Sequence, residues 1–421
     1  MALDEPDSGN RRCYVRLEVR ACGLAHCEES DYIDYMRKII FIALLVFVFA
    51  AAGIFWFTDK NPKVTTCAQD TFVCPDGSVV ERIGFQCEFA ACPGNAEEET
   101  SENSANLPVR KTIAGLQHVF QTFNNCSSVA LVVAFSKYGV SDTQEAIAAG
   151  TRPWNNRNGD NDDKSVTLYE MADYASATHG LAAYVRPNGD IELLKRFIAN
   201  DIPVIARARM YPNQEYVHYR VVKGYDEARD IIIESDGIEG PNREYSYDEW
   251  LHLWEEFNYS YLIAVPNNVR PLVEEILGEE RDERTAWGGA RARAERDIAA
   301  DPNDKSATYN LVTALYYLGD YKGVVREFEK IEAQLPPHKL WYQDEPIYAY
   351  YELGNYDRVL SLVEKVIGDR NKSVSELYVL RGKIYLSRAD ENAARAEFEK
   401  AIHYNNTLVS AKDALASLDG R

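Results

Sequence analysis

The chain has 421 residues, of which 46% are hydrophobic and 11% aromatic, so it is long enough for two or three packed domains and is not disordered overall. Its formal net charge of -20 at pH 7 argues against a nucleic-acid partner, because a phosphate backbone would be repelled. The seven histidines show no close pairing, so the sequence carries no zinc signature and predicts no cofactor.

Residues 1–35 are polar and acidic, and they show neither a helical nor a strand period. They fit a cytoplasmic tail. They equally fit an upstream extension that is included only because the start residue is misassigned. In that case the protein would begin at Met36, directly before a hydrophobic stretch.

Residues 36–58 are predicted to form a transmembrane helix. The run Ile39–Phe57 carries no charge and is about as long as the hydrocarbon core of a bilayer requires. Arg37 and Lys38 precede it, which places the N-terminus in the cytoplasm and the bulk of the chain outside. A cleaved signal peptide is the alternative, because the alanines at 50–52 offer a cleavage site. The aromatic residues that end the run favour an uncleaved anchor.

Residues 64–93 hold four cysteines, and residues 94–106 follow as an acidic, polar spacer without a period. The cysteines are seven, thirteen and five residues apart, so they lack the two-residue gaps of zinc knuckles. Two disulfides are the favoured interpretation, which agrees with the outward topology, and three pairings are possible. The disulfide candidates are Cys67, Cys74, Cys87 and Cys92.

A single cysteine begins the apolar run that leads to Gly139. Polar residues surround Cys126 and an uncharged segment follows it, which is typical of a buried helix that starts at or just after the cysteine. Helix-terminal N–H groups and the positive end of the helix dipole favour a thiolate there. An inert core cysteine is the alternative. If the four upstream cysteines pair, Cys126 is the one remaining thiol on the extracytoplasmic side, as a nucleophile requires.

A predicted hairpin downstream brings a histidine toward an aspartate. Residues 217–225 read as a strand, 226–229 as a turn and 230–235 as the return strand. His218 and Asp236 lie roughly equally far from this turn, so we expect them to be cross-strand neighbours within a residue or two. A nucleophile, a base and an acid that orients the base are therefore all present.

The segment around Cys126, the motif HYRVVKGYD that begins at His218, and Asp236 ahead of YSYDEW resemble the papain-like fold of the double-glycine, bacteriocin-processing type of cysteine peptidase. The resemblance covers residues 107–266. It implies that Cys126 is the nucleophile, His218 the general base and Asp236 the orienting acid. It also implies that Gln121 donates from its side chain to the oxyanion hole.

One position departs from the pattern of that family. The family usually has glycine and then proline or another small residue after the cysteine, whereas this chain has Ser127 and Ser128. Serine still offers its backbone N–H to an oxyanion, so the change bears on substrate access instead.

Residues 155–164, NNRNGDNDDK, are predicted to form a loop dense in oxygen ligands. The loop lacks the full calcium-binding pattern with its terminal glutamate, so a surface loop that caps the helix at 167–176 is favoured over a calcium site. Helices are expected on the side that carries Cys126 and strands on the side that carries His218, which is the division of papain-like enzymes.

Residues 281–421 are rich in Ala, Leu, Tyr, Glu and Lys, and their apolar residues recur with a helical period. The segment also contains an internal sequence repeat. Gly319 and Gly354 are thirty-five residues apart, in LGDY and LGNY, and Ala389 takes the third place. The period resembles tetratricopeptide repeats, whose stacked helix pairs bind protein partners or pack on a neighbouring domain and carry out no chemistry.

The sequence as a whole predicts an α+β papain-like domain and an all-α tetratricopeptide-type repeat domain, preceded by one transmembrane helix and a small disulfide-bonded module. The expected function is a membrane-anchored, extracytoplasmic cysteine peptidase that cleaves a peptide or amide bond in a peptide or protein substrate. One alternative is a non-catalytic peptide- or cell-wall-binding protein on the same scaffold. A second is a structural assembly factor in which the repeats are the working part.

Overall fold

The computed structural model describes residues 107–153, 166–212, 214, 216–336, 338–368 and 372–420, and three strand segments nearer the N-terminus. The predicted tail and membrane segment (1–58), the spacer and the loop at 155–164 lie outside the described residues, as do Cys67, Cys74, Cys87 and Cys92. Within the described ranges, no helix combines the length and the apolar character needed to cross a bilayer. The chain divides into two units, residues 1–96 and residues 97–421.

In the first unit, three short strands form an antiparallel sheet. They are β1 (Thr71–Val73), β2 (Val79–Ile83) and β3 (Glu88–Phe89), in the order β1-β2-β3. All three fall within residues 64–93, the predicted four-cysteine module.

In the second unit, a seven-stranded antiparallel sheet forms the centre of the region predicted to be papain-like. Its strands are β4 (Arg110–Thr112), β5 (Ala182–Arg186), β6 (Val204–Arg209), β7 (Val217–Asp226), β8 (Ile231–Asp236), β9 (Gly240–Ser246) and β10 (Tyr261–Val265). The order is β5-β10-β6-β7-β8-β9, with β4 also paired to β7. β7 is buried from His218 onward and β10 throughout, because both are interior strands of the sheet.

Helices cover both faces of this sheet. They are α1 (Cys126–Ser136), α2 (Gln144–Thr151), α3 (Leu168–His179), α4 (Ile191–Ala199), α5 (Tyr247–Trp254) and α6 (Arg270–Leu277). Because side chains alternate along a strand, Ile205 and Leu262 pack with α1, α2 and α3, while Val204 and Ile263 pack with α4, α5 and α6. The antiparallel sheet and its helices give the α+β arrangement that the sequence predicted.

Helix α1 begins at Cys126, as the apolar pattern predicted. It is buried almost throughout, and Leu131 and Phe135 are fully inaccessible to solvent. Beyond the helix the chain turns at Gly139, whose φ of 69° is a left-handed conformation that glycine adopts without strain. The core therefore fixes where the helix starts, and with it the position of the cysteine.

The region predicted to consist of repeats is helical. Its helices are α7 (Glu283–Ala300), α8 (Lys305–Leu318), α9 (Tyr321–Ile331), α10 (Lys339–Tyr342), α11 (Glu345–Glu352), α12 (Tyr356–Gly368), α13 (Ser375–Ser387), α14 (Glu391–Tyr404) and α15 (Val409–Leu418). Gly319, Gly354 and Ala389 have φ values of 84°, 73° and 60°. The same left-handed turn therefore recurs at the three positions that the thirty-five-residue period aligned.

Gly382 in α13 is predicted to tolerate no larger residue. A Cβ at this position would overlap the ring of Phe398, which is fully buried. We expect Gly382→Ala to lower the free energy of unfolding by roughly 1–3 kcal/mol, because overpacking forces core side chains out of their preferred rotamers. Chemical denaturation followed by circular dichroism measures the change.

Gly288→Ala in α7 is the matched control, because a Cβ there meets no atom within 4 Å. Alanine is the better helix former by about 1 kcal/mol, so this variant should be slightly more stable than the wild type. An equal loss of stability in both variants would contradict the packing assigned to Gly382.

Candidate active site

Cys126 is the first residue of α1, and its side chain is half-buried. Its neighbours Asn125 and Ser127 are buried, so the start of the helix is held in place on both sides of the thiol. No acidic side chain lies in the described first turn of α1 to offset the positive end of the helix dipole. This environment favours the thiolate.

The thiol lies in a narrow cleft of about 80 Å³. Residues of the helical layer, the sheet and the repeats form its walls, among them Gln121, Cys126, Val217, Tyr219 and Tyr342. A larger cavity of about 490 Å³ lies within the repeats and contains none of the predicted site residues. Of the two cavities, the smaller one therefore holds the predicted nucleophile.

His218 is the second residue of β7, opposite Ala208 of β6, and it is fully buried. Its Nε2 lies 2.9 Å from Oδ2 of Asp236, the last residue of β8. An ionised carboxylate only accepts hydrogen bonds, so Nε2 carries the ring proton and Nδ1 the lone pair. Nδ1 is buried and has no hydrogen-bond partner among the described residues. His218 is not among the residues that line the cleft holding Cys126. The residues before and after it, Val217 and Tyr219, line that cleft, and side chains alternate between the two faces of a strand.

The other oxygen of the Asp236 carboxylate is held by the backbone. Its Oδ1 accepts hydrogen bonds from the N–H of Ile238 at 2.6 Å and from the N–H of Glu239 at 2.9 Å. Both oxygens are thus engaged, so the carboxylate has one orientation toward the imidazole.

Arg220 holds Asp236 from a third direction. Its Nε lies 3.0 Å from Asp236 Oδ2 and 3.0 Å from Glu234 Oε1. Its two terminal nitrogens donate to the backbone carbonyls of Arg209 and Met210, each at 2.5 Å. This residue was not identified from the sequence. The available signal was a charged residue inside an apolar strand, since a buried arginine requires acidic partners.

The guanidinium of Arg220 is therefore in contact with the carboxyl groups of both Asp236 and Glu234. Burial raises the pKa of Glu234 to about 8, and the attraction of Arg220 only partly opposes this. Burial acts in the same direction on Asp236, but the hydrogen bond from His218 and the charge of Arg220 outweigh it and lower the pKa of Asp236 below its ordinary value. At neutral pH the cluster holds an ionised Asp236 and a protonated Glu234, so the buried charges balance.

The same environment sets the charge of the imidazole. Burial lowers the pKa of His218, and the hydrogen bond to Asp236, which raises it, does not compensate. The ring is therefore neutral at neutral pH, and its Nδ1 can accept a proton.

Gln121 lies against the end of β8. Its backbone N–H donates to the carbonyl of Gly237 at 2.9 Å, and its Oε1 is buried with no hydrogen-bond partner in the described part of the chain. A Cβ at Gly237 would come within 3.0 Å of that Oε1. The glycine after Asp236 therefore makes room for the Gln121 side chain at the edge of the cleft.

His118 is another histidine near this cluster. Its Nδ1 lies 2.9 Å from Ser235 Oγ, and its ring packs edge-on against Phe120 with centroids 4.6 Å apart. It supports the end of β8 and is not part of the cleft wall. Across the described ranges, no group of three or more His, Cys, Asp or Glu side chains is placed to bind a metal.

Comparisons with known proteins concern the region that holds this site. Residues 113–265 match the model of the Peptidase_C39 like family. A search of curated proteins returned no match. Among solved structures, a putative C39-like peptidase from Bacillus anthracis is 13% identical, over 38% of this chain and 98% of its own, with a TM-score of 0.32.

Two further solved structures each match part of the chain. The peptidase domain of Streptococcus ComA, a bifunctional ABC transporter involved in a quorum sensing pathway, is 16% identical over 36% of this chain and 99% of its own, with a TM-score of 0.28. A thermophilic TPR protein from Thermus thermophilus is 22% identical over 34% of this chain and 77% of its own, with a TM-score of 0.27.

Glu234 is expected to make stability depend on pH. Its carboxyl has an ordinary pKa of 4.5, and folding raises that pKa to about 8. Folding thus favours the protonated acid, so its contribution to stability is complete below pH 4.5 and is lost as the pH rises through 8. Relative to Glu234→Gln, we expect the wild type to lose about 1–4 kcal/mol of unfolding free energy across this interval.

Urea unfolding of both proteins at a series of pH values measures this loss. The glutamine variant has no carboxyl to titrate, so the comparison isolates the one group. A stability difference that stays constant with pH would contradict the raised pKa.

Proposed function

We propose that this chain, which carries a C39-like peptidase domain at residues 113–265 and tetratricopeptide-like helices after it, is a cysteine peptidase. The observation that carries the proposal is the 2.9 Å contact between His218 and Asp236, taken together with the separate cleft that holds the thiol of Cys126 at the start of α1. An oriented imidazole and a helix-terminal thiol are the groups that nucleophilic acyl transfer requires.

In the first half of the reaction, Nδ1 of His218 takes the proton of the Cys126 thiol, and the thiolate attacks the carbonyl carbon of a peptide bond. The electron pair of the C=O bond moves to oxygen. The side-chain amide of Gln121 and the backbone N–H of Cys126 donate to this oxyanion. His218 then gives its proton to the amine nitrogen as the C–N bond breaks, and a thioester remains.

In the second half, His218 takes a proton from water, whose oxygen adds to the thioester carbonyl. The C–S bond breaks, the acid product leaves, and the sulfur recovers its proton. Asp236 stabilises the imidazolium in both halves. Arg220 is a positioning residue, because it holds Asp236 and does not contact the reacting atoms. The proposed mechanism requires Nδ1 of His218 and the thiol of Cys126 to meet in the substrate complex, where catalytic hydrogen bonds often first tighten.

Covalent labelling tests the nucleophile. We expect a peptide that carries a thiol-directed electrophile to label the wild type at Cys126, and Cys126→Ala to lose that label, because only an activated thiolate in a peptide-binding cleft reacts at low probe concentration. Mass spectrometry of the labelled peptide identifies the site and separates it from the other seven cysteines. Unchanged labelling in Cys126→Ala would refute the assignment.

Gln121→Ala tests whether the Gln121 side chain donates to the oxyanion. It should slow acylation by a peptide ester on the order of a hundredfold, since one donor to the oxyanion is lost. Its rate with iodoacetamide should equal that of the wild type, because alkylation forms no oxyanion. A similar loss with both reagents would instead indicate a distorted cleft.

A peptide- or cell-wall-binding protein on the same scaffold is the second candidate function. The cleft volume of about 80 Å³ favours it, as do Ser127 and Ser128 where the family usually has glycine and then proline or another small residue. The pH dependence of iodoacetamide alkylation separates the two. A thiolate stabilised at the start of α1 reacts well below the ordinary cysteine pKa of about 8.5, whereas a cysteine of a binding protein follows that ordinary value.

We also propose, from the sequence alone, that residues 36–58 anchor the chain in the cell membrane, with the N-terminus in the cytoplasm and the later domains outside. Deletion of residues 1–58 should then move the protein from the membrane pellet to the supernatant. Protease added to intact cells should degrade the full-length protein. Full-length protein recovered in the supernatant after cell breakage would contradict the anchor.

A further inference from the structure

The second helical repeat runs from α10 to α12, and its first helix is broken into α10 and α11. With the period of thirty-five residues between Gly319 and Gly354, the stretch equivalent to α8 and α13 begins near residue 340. α8 has 14 residues and α13 has 13, whereas this stretch forms the 4-residue α10 and then the 8-residue α11. Gln343 and Asp344 separate the two pieces. The repeat geometry is therefore interrupted at one defined place.

Pro346 explains the break. It is the second residue of α11, and it has no N–H to donate to the carbonyl of Tyr342, four residues earlier. That carbonyl instead accepts a hydrogen bond from Arg207 Nη2 at 2.5 Å, and the carbonyl of Gln343 accepts one from the Tyr309 hydroxyl at 2.5 Å. Because Arg207 belongs to β6, the break attaches the repeat to the sheet of the peptidase-like domain.

Further contacts hold α10 and the residue before it against the end of β6 and the loop that joins it to β7. The ring of His338 stacks on that of Tyr216, with centroids 4.9 Å apart and planes 7° from parallel. Lys339 donates to the buried carboxylate of Glu256, which also accepts from Arg209. Burial alone would raise the pKa of Glu256, but the charges of Lys339 and Arg209 outweigh it and lower the pKa to about 2. These ion pairs therefore persist through the neutral range.

The result is a cleft with walls from two domains. Tyr342, at the end of α10, lines the same cleft as Cys126, and its side chain is only 7% exposed. Met210 and Tyr216, from the loop that α10 contacts, line it as well. The repeats therefore form part of the surface that surrounds the thiol.

We propose that Tyr342 determines which side chains the cleft admits, so that a peptide bound at Cys126 contacts the helical repeats as well as the papain-like domain. This inference rests on the proposed peptidase function. A cleft of about 80 Å³ has room for a small side chain, and Tyr342 is one of the residues that line it. Pro346 leaves the Tyr342 carbonyl available to Arg207, and this hydrogen bond ties the backbone of Tyr342 to β6.

A set of peptidyl vinyl sulfones tests the proposal. Each probe carries phenylalanine in place of glycine at one of the three positions before the electrophile. We expect the wild type to react with the all-glycine probe faster than with the phenylalanine probe at one or more positions. In Tyr342→Ala that ratio should fall on the order of tenfold, because the widened cleft admits the ring. The rate with iodoacetamide, which fills no side-chain pocket, should not change.

Two control variants and one substitute for the alanine variant separate a specific effect from general damage. Tyr342→Phe keeps the ring and should keep the wild-type ratio. Tyr342→Leu shortens the side chain but keeps an apolar contact, and it replaces the alanine variant if that variant unfolds. Tyr356→Ala removes a tyrosine from α12, outside the residues that line the cleft, and should also keep the wild-type ratio.

The outcomes distinguish this inference from the function on which it rests. If the wild type reacts with none of the probes while iodoacetamide still alkylates Cys126, the peptidase proposal fails and this inference fails with it. If the wild type discriminates and both shortened variants discriminate equally, the peptidase proposal stands and the role of Tyr342 is refuted. A fall in the ratio that Tyr342→Phe does not share supports the role.

Discussion

The buried guanidinium of Arg220 is the constraint on which the rest of the site depends. It lies between the carboxylates of Asp236 and Glu234 and donates to two backbone carbonyls at the end of β6, so it joins three neighbouring strands at one point. A charge without water is tolerated only where such partners surround it, and removal of one partner of a buried pair typically costs about 3–5 kcal/mol. The orientation of the carboxylate that contacts His218 is therefore tied to the backbone of the sheet.

This arrangement also explains how a neutral imidazole and an ionised carboxylate coexist in a dry interior. One positive charge can balance one negative charge, so the second carboxyl group, that of Glu234, retains its proton. If Glu234 were ionised, it would weaken the hold of Arg220 on Asp236. The division of protons among these groups follows from burial and from charge balance more than from the ordinary acidity of any one side chain.

The sequence predicted those helices and strands that are specified by a residue pattern within the element itself. An apolar run of helical length predicted the helix that begins at Cys126, and two strand-like segments on either side of a turn predicted the β7–β8 hairpin. β9 (Gly240–Ser246) was missed because it is a polar edge strand that includes a proline, so it has no apolar period. Arg220 and Tyr342 were missed for another reason. Their partners lie on other elements, and no spacing in the sequence reports which elements meet, although Pro346 marked a break in the repeat.

The ion pair between Glu256 and Lys339 has a consequence for synthesis on the ribosome. The two residues are 83 positions apart, and the carboxylate belongs to the domain that is made first. At about 5–20 residues per second, roughly 4–17 seconds pass before the ammonium group exists. During that interval Arg209 is left to neutralise Glu256 without Lys339, and the surface that later contacts the repeats is uncovered. The nascent sheet domain therefore emerges with an incomplete edge, and it reaches its final electrostatic state only when the second repeat has left the exit tunnel.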